Sequence, residues 1–367
     1  MRIPAYALPW PTMSMVGFVL FSILLVVVSF AYSSYTWDLV AYVMAALDDG
    51  HKSSAELHAQ TWALIKDHVP GDHFEDLIKG PYREEQYRNP DALVSMLPMY
   101  NLKVGYIFLL KALSRLVDPI HSFFVVSAVS TVGITFVMFL ASRHLVGFGR
   151  FAWLPIVGFF NIFPLAQLST PDAPSAFLYC AGLFLLLRNN QVPAIVLFLL
   201  GAAIRPDNVV LNVMIALIIG ARSWPKAAGL FFSTCAIYLA AVLWAGHGGW
   251  WLHFYTSLVD QQATLVGFSP AFSPMVYARA LAQQTSIVLL SSWIYGAIGV
   301  LMFCLALLTD LERDMPRKVL YAVVASGLIH FFVFPTHQER IYGPYLFGIA
   351  LVMLDALDRR HGVRSAA

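Results

Sequence analysis

Long apolar runs separated by short polar breaks fill most of this chain. Runs at 13–32, 119–142, 151–168, 173–188, 191–204, 207–221, 227–245, 286–309, 318–335 and 341–357 have the length, or nearly so, of helices crossing a bilayer of about 30 Å. They predict an all-α polytopic transmembrane bundle of about ten spans. The fifth and sixth runs are short and are expected to pair as a shallow hairpin inside the bundle. The first run follows Arg2 and exceeds the roughly 7–15 residues of a signal-peptide apolar core. No small-residue cleavage pattern follows it, so it reads as a retained span.

Two polar stretches interrupt the runs within a single transmembrane domain, 1–367: a long one at 33–118 and a shorter one at 246–285. The first carries helical patterns, "DLVAYVMAALDDG" and "VGYIFLLKALSRLV". The second pattern predicts an amphipathic helix in the membrane interface, with Lys111 and Arg115 on its polar stripe. A span at 103–118 is the alternative, but it would break the charge pattern below. Trp250, Trp251, Phe254 and Tyr255 open the shorter stretch, as interfacial aromatics do. The chain has no internal repeat and no low-complexity segment.

Composition agrees. Hydrophobic residues make up 59% and charged residues 12%, against about 25% charged in soluble domains. A net charge of +2 points to no nucleic-acid partner. Cations gather on alternate connections: Arg143, His144 and Arg150; Arg188; Arg222 and Lys226; Arg313, Arg317 and Lys318; then Arg359, Arg360 and Arg364. With ten spans these share one side with Arg2, and the positive-inside rule makes it the cytoplasm. Both termini are then cytoplasmic, and the two polar stretches are extracytoplasmic. Cys180, Cys235 and Cys304 lie in apolar runs and read as small buried residues. His51, His58, His68 and His73 have no zinc-ligand spacing. Walker, nucleophile-elbow and dinucleotide patterns are absent.

The candidate chemistry lies on the outer side. Asp38 follows the first run in "TWDLVAY"; it either takes a proton from a substrate hydroxyl or caps the next helix. Asp172 in "TPDAPSAF" is either a second functional acid or part of a helix start in which Ser169 or Thr170 caps and Pro171 takes the first position. Arg205 and Asp207 flank Pro206 between the two short runs. An arginine that cannot lose its charge there faces a polar cavity or pairs with Asp172 or Asp207. In "FPTHQERIYGPYLF", Arg340 and His337 sit where the last run starts. Arg340 either meets an anion or snorkels to the interface.

Taken together, these acids and arginines beside a long helical outer loop resemble the C-type glycosyltransferase superfamily, integral-membrane enzymes that use polyprenyl-phosphate sugars. Asp38 matches that family's acid near the start of the first outer loop, and Asp172 matches its second acid at a later turn. Arg205 or Arg340 matches the basic group on the donor phosphate, and His337 would assist. Tyr42, Asp207, Glu339 and Gln261 would contact substrate, with Gln262, Gln283 and Gln284 near the acceptor sugar. The resemblance implies a polyprenyl-phosphate sugar donor, a glycan, lipid or protein acceptor, no nucleotide cofactor, and a scheme that needs no metal. The compact size and short loops suit a bacterial inner membrane. The large soluble C-terminal domain of many members is lacking.

Three other classes compete: a transporter or flippase for a lipid-linked or anionic solute, a membrane acyl- or phosphotransferase or polymer ligase, and a non-catalytic assembly subunit. A transporter is expected to show repeats and broken mid-membrane helices.

Overall fold

A computed structural model describes residues 10–308 and 314–366, and the side chains of 10–308 and 315–359. Arg2 and Arg313 fall outside the described residues, and the side chains of Arg360 and Arg364 are likewise not described. Helices dominate, and the described residues contain no strand beyond an isolated bridge between Ser34 and Leu168.

The order is α1 (Trp10–Ala31), α2 (Trp37–Leu47), α3 (Ser54–His68), α4 (Gly71–Ile78), α5 (Pro81–Arg88), α6 (Pro90–Asn101), α7 (Val104–Leu113), α8 (Pro119–Ser142), α9 (Trp153–Phe159), α10 (Ile162–Gln167), α11 (Asp172–Leu187), α12 (Gln191–Ile204), α13 (Val209–Gly220), α14 (Trp224–Ala245), α15 (Trp250–Leu258), α16 (Pro274–Leu290), α17 (Ser292–Leu308), α18 (Asp314–Val333) and α19 (Gly343–Ala366). Short 3-10 turns precede α9, α13 and α19.

Local chemistry sets many boundaries. Three helices start on a cap residue followed by proline: Asn89-Pro90 at α6, Asp118-Pro119 at α8 and Ser273-Pro274 at α16. Each cap side chain accepts first-turn N–H groups. The last of these carries helix from Pro274, so the second polar stretch is helical well before 285. Proline disfavours α conformation in the residue before it. Arg205 accordingly leaves the helical region at φ −146°, and α12 ends at Ile204. Gly246, left-handed at φ 61°, closes α14.

Five helices among the described residues have the length and apolar character to cross a membrane, or seven if two bent pairs each count once. The chain is an integral membrane protein in that sense. The run 151–168 is not one span. Asn161 adopts φ 53° between α9 and α10, and Pro155 and Pro164 each remove an amide donor. At 1.5 Å per residue, α11, α12 and α13 are each shorter than a bilayer's apolar thickness.

Packing sorts the helices by depth. The apolar window of α19 is 89% buried, whereas those of α1 and α14 are 17% buried. Exposed Leu20, Ile23, Leu239 and Leu243 then mark the lipid-facing surface. Cys180 and Cys304 are buried as expected, but Cys235 on outward-facing α14 is exposed. A second core lies under the first polar stretch, where α2, α3, α6 and α7 pack on the start of α8. There α7 differs from the interfacial expectation. Tyr106, Ile107 and Leu110 are buried, Phe108 and Leu109 point outward, and Lys111 donates to the Asp48 carbonyl. The α6–α7 pair bends by 106° around Leu102 and Lys103.

Gly105 lets α7 approach the backbone of α12. A Cβ there would lie 2.8 Å from the Ala203 carbonyl carbon and oxygen of α12. Gly105→Ala is therefore expected to destabilise the protein by about 1–3 kcal/mol, because backbone must move. Gly158→Ala, which meets no atom within 4 Å, should be neutral or slightly stabilising. Thermal unfolding of both variants in one detergent checks the contrast, and equal melting temperatures would refute it.

Candidate functional site

The loop after α1 is held from both sides. Ser29 donates to the Phe124 and Ala166 carbonyls, and the Ser34 amide donates to the Gln167 carbonyl. This brings the start of α2 beside the start of α11. Asp38 lies in the first turn of α2 and does not cap it. Its Oδ2 accepts from Arg340 Nη2 at 2.9 Å, and its Oδ1 accepts from the Tyr100 hydroxyl at 3.3 Å.

Asp172 begins α11 behind Pro171. The cap expected from Ser169 or Thr170 is not made; the Thr170 hydroxyl donates to Asp172 Oδ2 at 2.6 Å instead. Gly343, the first residue of α19, approaches Ala176 closely, and a Cβ there would lie 3.1 Å from the Ala176 methyl. That contact sets Arg340 next to Asp172, with Nη1 3.4 Å from Oδ2. Arg205 pairs with the other oxygen of Asp172. It also binds Asp207 through Nε and Nη2, at 2.9 Å each to Oδ2. Asp207 therefore binds Arg205 rather than capping α13. His330 of α18 stands 3.8 Å from Asp207.

The result is one continuous chain of charge: Asp38, Arg340, Asp172, Arg205, Asp207 and then His330. The two acids that Arg340 joins are unlike. Asp172 is 3% exposed and locked between two guanidinium groups, whereas Asp38 is 26% exposed. All six side chains line a cavity of about 360 Å³, together with Tyr42, Tyr100, Lys103, Trp250 and His253. Burial, and then the Asp38 charge, hold the Tyr42 phenol far above its usual pKa, so Tyr42 faces the cavity as a neutral hydroxyl. A cavity with apolar walls and convergent polar groups can orient a ligand, and Asp38, which only one guanidinium holds, is a carboxylate a ligand hydroxyl can reach; Asp207, 36% exposed, also lines it.

Other expected site residues lie elsewhere. His337 Nδ1 pairs with Gln284 Oε1 at 3.0 Å and does not line the cavity. Glu339 bonds Asn161 and faces a second, apolar cavity of about 270 Å³, with Arg340 between the two spaces. Gln261 is exposed, bonds Tyr82 and does not line the cavity. Among the described residues, no three His, Cys, Asp or Glu side chains cluster to hold a metal ion.

Sequence reasoning passed over Lys103, Tyr100, His330 and His253. Two of these were visible as lone ionisable residues beside or within apolar runs, Lys103 in "YNLKVGY" and His330 in 318–335.

The far ends of the same helices meet at the opposite face. There Arg188 pairs with Asp358 at 3.7 Å, Arg359 Nη2 donates to the Leu187 carbonyl, and Arg222 donates to Asn189. The chain matches no protein-family model, no curated protein and no solved structure.

Proposed function

We propose that this protein is a membrane glycosyltransferase that moves a sugar from a polyprenyl-phosphate donor to an acceptor hydroxyl on the extracytoplasmic face. The observation that carries this reading is the accessible Asp38 carboxylate sharing one cavity with Arg205 and Arg340. It is the arrangement expected from the resemblance to C-type glycosyltransferases.

In the reaction, Asp38 takes the proton of the acceptor hydroxyl as that oxygen bonds to the anomeric carbon. The bond from that carbon to the phosphate oxygen breaks, and polyprenyl phosphate leaves with the electron pair. A single displacement inverts the anomeric centre. Fixed cations beside the cavity stabilise the charge developing on the phosphate. Asp172 and Asp207 hold the guanidinium of Arg205 in place, and Asp172 also steadies Arg340.

The ten-span layout belongs to this proposal, with the short helices α11, α12 and α13 dipping to the cavity from the cationic face. That face is then cytoplasmic, in a bacterial inner membrane.

Purified protein in bilayer nanodiscs, given polyprenyl-phosphate sugar labelled in both lipid and sugar, is expected to release free polyprenyl phosphate as label joins an acceptor. Movement of intact donor across the bilayer without release would support the transporter reading instead.

A further inference from the structure

The two arginines expected to meet an anion are already occupied, because Arg205 holds Asp172 and Asp207 and Arg340 holds Asp38 and Asp172. Lys103 is different. It lines the same cavity and gives one N–H to the Met99 carbonyl at 2.7 Å. Among the described residues, no carboxylate lies within ion-pairing distance of it. The ammonium also lies 5.9 Å from the centre of the Tyr100 ring, and its remaining N–H groups can meet a ligand.

A pair of histidines from the segment after α14 lines the same cavity. Gly246 and Gly249 hold φ of 61° and 96°, which fold the chain back so that His247 meets His253 of α15. The Gly249 amide donates to His247 Nδ1 at 3.2 Å, which leaves the His247 proton on Nε2. Nε2 lies 3.4 Å from His253 Nδ1, which therefore accepts. The His253 proton then sits on Nε2, where no partner occurs among the described residues. Burial, reinforced by the Lys103 charge, pushes His253 down to about 3 and lowers His247 as well, so both rings are neutral near pH 7. The hydrogen-bond relay thus ends in a neutral donor in the cavity that Lys103 also lines.

We infer that Lys103 and His253, with His247 fixing the tautomer, form an anion subsite for a phosphate group in this cavity. The subsite rests on the reading above only for phosphate as the anion; the geometry calls for a compact anion accepting two or three hydrogen bonds. Lys103 supplies charge and His253 direction.

The test uses the full chain in nanodiscs with two probes, a polyprenyl phosphate and inorganic phosphate. Lys103→Gln is expected to weaken polyprenyl phosphate binding at least tenfold and to flatten its salt dependence, and Lys103→Arg to restore most of it. His253→Phe should weaken binding several-fold without altering the salt dependence. Inorganic phosphate binding with the same Lys103 dependence identifies the free ion as a ligand; binding of the lipid alone identifies a headgroup.

A measurement on the unaltered protein covers loss of folding in the variants: bound polyprenyl phosphate should protect Lys103 from acetylation, read by mass spectrometry. Unprotected Lys103 with the lipid bound, or no binding of either probe by folded protein, overturns the subsite. Protection at Lys103 without sugar transfer would overturn the transferase reading alone.

Discussion

Asp38→Asn is expected to lower sugar transfer on the order of 10²- to 10⁴-fold, the range for loss of a general base, while leaving the fold nearly intact. The amide keeps a carbonyl oxygen to accept from Tyr100 or Arg340 but takes up no proton at neutral pH. The pair it disturbs is about a quarter exposed on both sides, and pairs of that kind contribute about 0–1 kcal/mol. Donor binding should also persist, because the donor's charge is met by cations and not by this acid. Transfer from labelled polyprenyl-phosphate sugar, measured beside thermal unfolding, separates the effects. Full activity in the variant removes Asp38 from the role of base. Lost activity with an equally large fall in melting temperature would make it a structural acid.

Arg205→Met should behave in the opposite way. Arg205 is 7% exposed and holds two carboxylates, one of them 3% exposed. Deleting it leaves Asp172, with little water to solvate it, facing Asp207 and held by Arg340 alone. Removing one member of a buried pair costs about 3–5 kcal/mol, since the partner stays behind uncompensated. Activity should fall because the cavity loses its shape, with the stability loss alongside. The diagnostic is coupling. Arg205→Met combined with Asp172→Asn should destabilise less than the sum of the two single variants, by about 0.5–3 kcal/mol. Strict additivity, or an Arg205→Met protein as stable as the parent, would show that the network is not what holds α11, α12 and α13 together.

These predictions assign different work to acids that look alike in sequence. Asp38 and Asp172 each follow an apolar run and lie in the first turn of a helix. Exposure distinguishes them, and exposure is a product of packing. Asp172 is enclosed because α19 closes on α11 at Gly343 and Ala176, carrying Arg340 with it. Asp38 stays accessible because α2 enters its own small core from the membrane edge, with Asp38 at the uncovered end.

Local physics made much of the molecule readable from sequence. Apolar runs fixed its place in a membrane, since unpaired backbone groups in lipid force helices. Proline after Arg205 ended α12, and Asp118-Pro119 began α8. Asp38, Asp172, Arg205 and Arg340 stood out because charge beside lipid is costly. Where a run was broken by a backbone choice, as at Asn161, or began early on a cap, as at Ser273, average hydropathy blurred the boundary. Only the tertiary structure decided which ionisable groups meet. The contact between Asp38 and Arg340 spans 302 positions, and no helical period carries information over that distance. It also decided that His337, Glu339 and Gln261 turn to other partners, and that Lys103 and His253 face the cavity. Those outcomes depend on where α6, α7 and α15 pack, and packing is settled by the whole chain at once.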